Sequence, residues 1–177
     1  QSRLVLIAGR LDFFTKFQPD PLLRVLECLR NSSQPNVELV IYGEAHDDEQ
    51  LTLWKRGAKQ LAPTLPIHWF RGKDQDISAP LRWASDIFVS LADNPQETFG
   101  ITPLEAMAAG LPCLVSDWNG YRDTVIQPGE SDEPTGIRMP TRMVQGLGTP
   151  EAIACVNGVM GDRPAIGLLS QGIAVDY

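Results

Sequence analysis

The sequence lacks an excess of positive charge and any apolar run long enough to cross a bilayer. Its 177 residues carry 15 lysines and arginines against 22 acidic residues, which gives a net charge of −7. Such a chain presents no electrostatic footprint for nucleic acid or for an anionic membrane surface. We therefore expect no nucleic-acid partner and find no support for membrane contact by these residues. There are no internal repeats and no low-complexity tracts.

Cysteine is also scarce. Cys28, Cys113 and Cys155 are far apart, odd in number and in no C-x-x-C pair. This spacing argues against a disulfide framework and a metal site. We expect reduced, buried thiols in a cytoplasmic protein.

Apolar runs alternate with helical patterns along residues 3–125. The predicted strands are 3–8, 37–42, 66–70, 86–91, 111–115 and a short last one within 135–140. The predicted helices are 21–29, one from Asp47 or Asp48 to about Ala62, 77–84, 103–109 and one or two turns within 119–125. Repeated strand–helix units with nearly continuous apolar strands indicate a parallel sheet that is covered on both faces. We predict a Rossmann-like α/β domain, in which His68 is packed within its strand.

The first residues and the change in composition after residue 127 suggest the extent of this domain along the chain. The chain begins without Met, directly in a strand, and we expect it to be a piece of a longer protein. We expect one domain over residues 1–177, cut short at its C-terminal end, with an irregular region from about 128 to 177.

The most informative stretch is residues 97–112, ETFGITPLEAMAAGLP. Thr102 is a suitable N-cap for its helix, Pro103 fits the first helical position, and Glu105 completes a T-x-x-E capping box. Gly110 can adopt the left-handed backbone conformation that often follows the last residue of a helix. Gly100 leaves the backbone bare just before the helix, where N–H groups can receive phosphate.

Further candidate groups follow the other predicted strands. In an open parallel sheet, ligands bind beyond the carboxyl ends of the strands. The candidates at these ends are Gly9 and Arg10 with Lys16, then Gly43, then Gly72 and Lys73, and finally the loop from Glu97 to Glu105. Cations and a helix N-terminus suit a diphosphate, whereas carboxylates suit the hydroxyl groups of a sugar. The combination indicates a nucleotide sugar.

Taken together, these residues resemble a known family, the retaining family 4 glycosyltransferases. The resemblance is carried by Gly9-Arg10-Leu11 with Lys16, Gly43, Asp93-Asn94, residues 97–112 and residues 116–125, SDWNGYRDTV. It extends from residue 3 to about 140 and implies the donor-binding C-terminal half of a GT-B fold.

The resemblance implies a role for each site residue. Arg10 and Lys16 would hold the donor diphosphate and stabilise the departing nucleoside diphosphate. Glu97, the first residue of the E-x7-E pair, would contact the sugar hydroxyls near the reacting face, and Glu105 would accept from the ribose hydroxyls. Backbone N–H groups from Gly100 through Ile101 to Thr102 would meet the phosphates, and the segment near Gly72 and Lys73 would lie by the base. The remaining donor-binding positions are Gly9, Gly43 and Phe99. No metal or other cofactor is expected, because family members are generally metal-independent.

Other interpretations remain open from the residues alone. Glu105 could serve only as a cap partner, Glu97 as a solvated charge, and Arg10 and Lys16 as exposed loop cations. The protein could be an epimerase of the same fold acting on a nucleotide sugar, or a nucleotide-binding module without catalysis. With the acceptor domain absent, we expect this chain to bind donor weakly and to be inactive by itself. Any contact with the inner membrane face is expected from the missing half.

Overall fold

A six-stranded parallel sheet forms the framework of the described part of the chain. The computed structural model describes residues 2–12, 19–32, 36–92, 99–143 and 173–175. The strands are β1 (Arg3–Leu11), β2 (Val37–Ala45), β3 (Ile67–Arg71), β4 (Ile87–Ser90), β5 (Cys113–Ser116) and β6 (Gly136–Met139). Their spatial order is β3-β2-β1-β4-β5-β6. Within the region expected to be irregular, β7 (Thr141–Met143) and β8 (Ile173–Val175) form a separate antiparallel pair.

In the part of the chain that the structure describes, five helices connect the strands. They are α1 (Asp20–Asn31), α2 (Asp48–Leu61), α3 (Ser78–Ala84), α4 (Ile101–Ala108) and α5 (Tyr121–Thr124), and a 3-10 turn (Gln75–Ile77) precedes α3. No helix in the described ranges has both the length and the apolarity needed to pass through a bilayer.

The helices cover both faces of the sheet. Successive side chains of a strand point to opposite faces, so Val5 and Ile7 enter one core while Leu6 and Ala8 enter the other. The first core contains Leu26 of α1 and residues of α2, and the second contains residues of α4 and α5. The predicted Rossmann-like α/β fold is confirmed.

The strand order reverses beside β1. From β1 the chain passes to β2 and β3 on one side, and then returns to β4 on the other side of β1. Val5 of β1 pairs with Ile87 of β4 in parallel register. A reversal of this kind opens a crevice at the carboxyl ends of the two central strands, which is where α/β sheets bind ligands.

The predicted cap at the start of α4 is wrong. The helix begins at Ile101, and the preceding residue, Gly100, is left-handed with φ +77° and gives no side-chain cap. Since the chain enters the helix at Ile101, Thr102 already lies in the first turn and cannot be its N-cap. The side chain of Glu105 instead pairs with Arg82 of α3.

The predicted end of α4 is confirmed. Gly110 has φ +82°, and its N–H donates to the carbonyl of Met107 at 2.9 Å. The N–H of Leu111 donates to the carbonyl of Ala106 at 3.0 Å. These two bonds form a Schellman motif, which satisfies carbonyls that the end of a helix leaves free.

Two side chains that were predicted to be buried are exposed. The His68 side chain is 47% exposed because β3 is an edge strand, and it pairs with Glu38 at 2.8 Å. Cys28 lies on the outward face of α1, whereas Cys113 is buried as predicted. Cys155 lies outside the described residues.

Candidate functional site

A cleft of about 490 Å³ lies at the carboxyl edge of the sheet. It is bounded by the ends of β1 and β2, the turn after β3, and the helices α3 and α4. The sequence-predicted residues that line it are Gly9, Arg10, Gly43, Gly72, Thr102 and Glu105. Sequence reasoning missed other lining residues, namely Ala8, Tyr42, Glu44, Ser78 and Arg82.

Three glycines place bare backbone along one side of this cleft. A Cβ on Gly43 would lie 2.1 Å from the carbonyl oxygen of Gly9, so no larger residue fits the pairing of β1 with β2. The N–H of Gly72 donates to the carbonyl of Gly43 at 3.0 Å. The Tyr42 hydroxyl donates to the Gly72 carbonyl at 3.1 Å and so holds the turn after β3. Bare backbone lets a ligand approach closely.

Arg10 supplies positive charge to the cleft. It lies near the end of β1, in register with Glu44 of β2, and is exposed. Among the described side chains it has no ion-pair partner. Its guanidinium is therefore free to bind an anion in the cleft.

Glu105 of α4 also lines the cleft and is held by Arg82. The Arg82 guanidinium donates to Oε2 of Glu105 and to the carbonyl of Ser78, the latter at 3.0 Å. The Arg82 side chain is 8% exposed and that of Glu105 is 49% exposed. The orientation of Glu105 thus depends on α3. The only sequence signal for this pair is an arginine set between Leu81 and Trp83 of a short helix.

Packing fixes the N-terminus of α4. A Cβ on Gly100 would lie 2.2 Å from Cε1 of Tyr121, whose hydroxyl hydrogen-bonds the Ser90 hydroxyl at 2.8 Å. The side chains of Phe99 and Ile101 are exposed, so neither is held in the core. The first N–H groups of a helix lack partners within the helix and carry partial positive charge. This end of α4 can therefore contribute backbone donors to an anion.

The Lys73 side chain lies apart from most of the other predicted residues. Lys73 lines a neighbouring cleft of about 440 Å³ and pairs with Glu44 at 2.9 Å. The hydrogen bond from Lys73 to Glu44, with the charge of that carboxylate, raises the pKa of Lys73. Gly43 and Glu44 line both clefts and mark the boundary between them.

The predicted site residues Lys16 and Glu97 lie outside the described residues, as do Asp93 and Asn94. Lys16 follows β1 in the chain and Glu97 follows β4, and these two strands are neighbours in the sheet. In the described ranges, no three His, Cys, Asp or Glu side chains are grouped so that they could hold a metal ion.

The sheet and this cleft are those of a Rossmann-like α/β domain with a ligand-sized opening at the carboxyl ends of its strands. Residues 1–144 match the family described as Glycosyl transferases group 1, and the chain belongs to that family. Over 107 residues it is 31% identical to the lipopolysaccharide core biosynthesis mannosyltransferase LpsB of Rhizobium meliloti (strain 1021). That match covers 60% of this chain and 24% of LpsB.

Solved structures share the fold. Anabaena Alr3699/HepE in complex with UDP and glucose has a TM-score of 0.60 at 18% identity, covering 96% of this chain and 41% of HepE. The C-terminal domain of the group 1 family protein LpcC from Francisella tularensis has a TM-score of 0.54 at 18% identity, covering 96% of this chain and 81% of that chain. The chain thus spans about a quarter of LpsB and less than half of HepE.

Proposed function

We propose that this chain is the donor-binding half of a retaining glycosyltransferase that moves a sugar from a nucleoside-diphosphate sugar to an acceptor. Membership of the glycosyltransferase family supports the reaction class. The likeness to HepE, which was solved with UDP and glucose, supports the donor class. The match to a C-terminal domain of LpcC supports the assignment of this chain to the C-terminal half.

The observation that carries the proposal is the convergence of separate chain segments on one cleft. Arg10 comes from β1, Gly43 from β2, Gly72 from the turn after β3 and Glu105 from α4. A cation, bare backbone and a helix N-terminus suit a diphosphate. A half-exposed carboxylate suits the vicinal hydroxyls of a ribose, because an ionised carboxylate accepts hydrogen bonds.

In the proposed reaction, the bond between the sugar and the diphosphate breaks, and its electron pair leaves with the nucleoside diphosphate. Arg10 and Lys16 stabilise the negative charge that develops there, and the N–H groups from Gly100 to Thr102 add to this. The acceptor hydroxyl oxygen forms the new bond to the sugar and loses its proton. Glu97 contacts the sugar hydroxyls. Because cations stabilise the leaving group, the proposal requires no bound metal or other cofactor.

The proposal divides the work between two halves. This chain would bind the donor, with Phe99, Ile101 and the neighbouring backbone beside the phosphates and Gly72 toward the base. Lys73 would reach the base from the adjoining cleft, which shares Gly43 and Glu44 with the donor cleft. An acceptor-binding half would supply the other wall of the cleft and, where the acceptor is a lipid, the contact with the membrane. We also propose, from the resemblance to family 4 glycosyltransferases, that the reaction takes place in the cytoplasm.

Calorimetric titration of the chain with UDP, GDP and ADP tests the donor site. We expect at least one nucleotide to bind, and Arg10→Ala to weaken it by about tenfold or more, since a charge-assisted hydrogen bond contributes about 1.5–3 kcal/mol. The matched control is Arg56→Ala, which removes an exposed arginine from α2, outside the cleft. Absence of binding at millimolar nucleotide, or equal effects of the two substitutions, would contradict the proposal.

A further inference from the structure

The donor cleft contains a buried cation that none of the proposed roles uses. Arg82 of α3 lines the cleft, and its side chain is 8% exposed. Burying a guanidinium costs several kcal/mol unless its N–H groups are paired.

The Arg82 guanidinium bonds to its own helix through Nη1 and to Glu105 through Nη2. Its Nη1 donates to the carbonyl of Ser78 at 3.0 Å and also contacts the Ser78 hydroxyl. Ser78 is one helical turn earlier, so this contact fixes the guanidinium against α3. Its Nη2 donates to Oε2 of Glu105 on α4. Arg82 therefore holds a carboxylate of one helix at a position set by another.

The same geometry leaves part of Glu105 available. Arg82 engages Oε2, and within the described ranges Oε1 has no hydrogen-bond partner. A carboxylate offers several lone-pair sites, so Oε1 can still accept from a ligand. An unpaired Glu105 would also repel a diphosphate in the same cleft, and the positive charge of Arg82 offsets that repulsion.

The arrangement is a poor device for stability alone. The Nε of Arg82 is buried and lacks a partner among the described residues. Its acidic partner is half exposed, and replacing such a pair with apolar side chains is often neutral or stabilising. The location of both side chains on the cleft wall favours a role toward a ligand.

We infer that Arg82 is a positioning residue that holds Oε2 of Glu105, so that Oε1 faces the ribose hydroxyls and the site prefers ribonucleotides to 2′-deoxyribonucleotides. The inference rests on the proposed donor site. Arg82 of α3 would thus contribute to recognition of the ribose from outside the 97–112 motif.

The test compares the dissociation constants of UDP, GDP or ADP, whichever binds best, with that of its 2′-deoxy counterpart. We expect the unaltered chain to prefer the ribonucleotide at least fivefold. Arg82→Gln should reduce this preference to less than twofold, and Arg82→Lys should give an intermediate value because one ammonium cannot replace both guanidinium contacts. In a Glu105→Gln background, Arg82→Gln should change the ratio no further, which is the coupling that a double-substitution cycle measures.

Circular dichroism and thermal unfolding check that the substituted chains fold. Ser78→Ala is a milder second variant, since it removes one contact from Arg82 and leaves Glu105 intact, and it should lower the preference partly. An unchanged preference in folded Arg82→Gln would overturn the inference.

Four other results would also overturn it. An equal loss of affinity for the ribonucleotide, the deoxynucleotide and inorganic pyrophosphate would show that Arg82 binds phosphate directly. Tighter ribonucleotide binding by Arg82→Gln would show that Arg82 competes for Glu105. A chain that binds nucleotide without ribose preference would remove the ribose role and leave the donor site standing, whereas no nucleotide binding at all would remove both.

Discussion

The backbone of Gly100 lies against the ring of Tyr121, with space for no side chain between them. A Cβ at position 100 would be 2.2 Å from Cε1 of Tyr121, and the tyrosine side chain is fully buried. The Tyr121 hydroxyl is bonded to Ser90 at the end of β4. The start of α4, which the proposed phosphate contacts require, is thus set by packing between β4, α4 and α5.

This contact predicts unequal costs for two similar substitutions. Gly100 and Gly110 both have positive φ, but a Cβ on Gly110 meets nothing within 4 Å. Gly110→Ala should cost about 1–2 kcal/mol, the strain of a left-handed residue. Gly100→Ala should cost about 1–3 kcal/mol more, because it also displaces a packed ring. Urea unfolding measures both free energies, and equal costs would show that the ring can move aside freely.

A second prediction compares a true cap with a mistaken one. The Asp47 carboxylate accepts from the N–H of Gln50 at 2.8 Å at the start of α2, so Asp47→Ala should cost about 1 kcal/mol of unfolding free energy. Thr102 follows the S/T-x-x-E pattern but lies inside α4, and Thr102→Ala should change stability by less than about 0.5 kcal/mol. Chemical denaturation of both variants checks this. A cost near 1 kcal/mol for Thr102→Ala would restore the capping box.

These cases show which parts of the structure the sequence could predict. Strand and helix positions depend on local apolar periodicity, so β1 and α2 were placed within a few residues of their observed bounds. The pair of Arg82 and Glu105 joins residues on different helices, and no local pattern brings them together. His68 has apolar neighbours in the sequence, but only the strand order shows that β3 is at an edge.

The candidate site likewise contains features that the sequence predicts and features that depend on the three-dimensional structure. Gly9, Gly43 and Gly72 were predicted because each ends or follows a strand, and the carboxyl ends of parallel strands share one edge. Lys73 was predicted by the same argument, yet it faces a neighbouring cleft beyond Glu44. The direction in which a side chain leaves a turn depends on backbone geometry that spacing does not encode.

A third prediction concerns acid stability. The Asp86 carboxylate accepts from the N–H of Leu4 at 2.8 Å and from Arg3 at 2.6 Å, and these two contacts lower the pKa of Asp86. Because its folded pKa lies below the unfolded value of about 4, the stabilisation is complete above that value and is lost as the pH falls through the folded pKa. Asp86→Asn should therefore cost about 1 kcal/mol at pH 7 and less with each step below about pH 4.

Urea unfolding at pH 7, 5, 4 and 3 measures this dependence. The control is Asp132→Asn, which changes an exposed carboxylate in the loop before β6 and should leave the stability profile close to that of the unaltered chain. A difference between Asp86→Asn and the unaltered chain that stays constant over this range would mean that the carboxylate charge contributes nothing.

The fourth prediction separates the two described cysteines by their reactivity. Burial raises the pKa of the Cys113 thiol to about 12, whereas Cys28 is exposed on α1. Only the thiolate reacts with a disulfide reagent. In a Cys155→Ser variant at pH 8, the Cys28 thiol should therefore be modified at least about a hundredfold faster than the Cys113 thiol. Peptide mapping by mass spectrometry follows each site, and urea should remove the difference by exposing Cys113. Similar rates at both positions in the folded chain would show that β5 opens readily, which its place between β4 and β6 argues against.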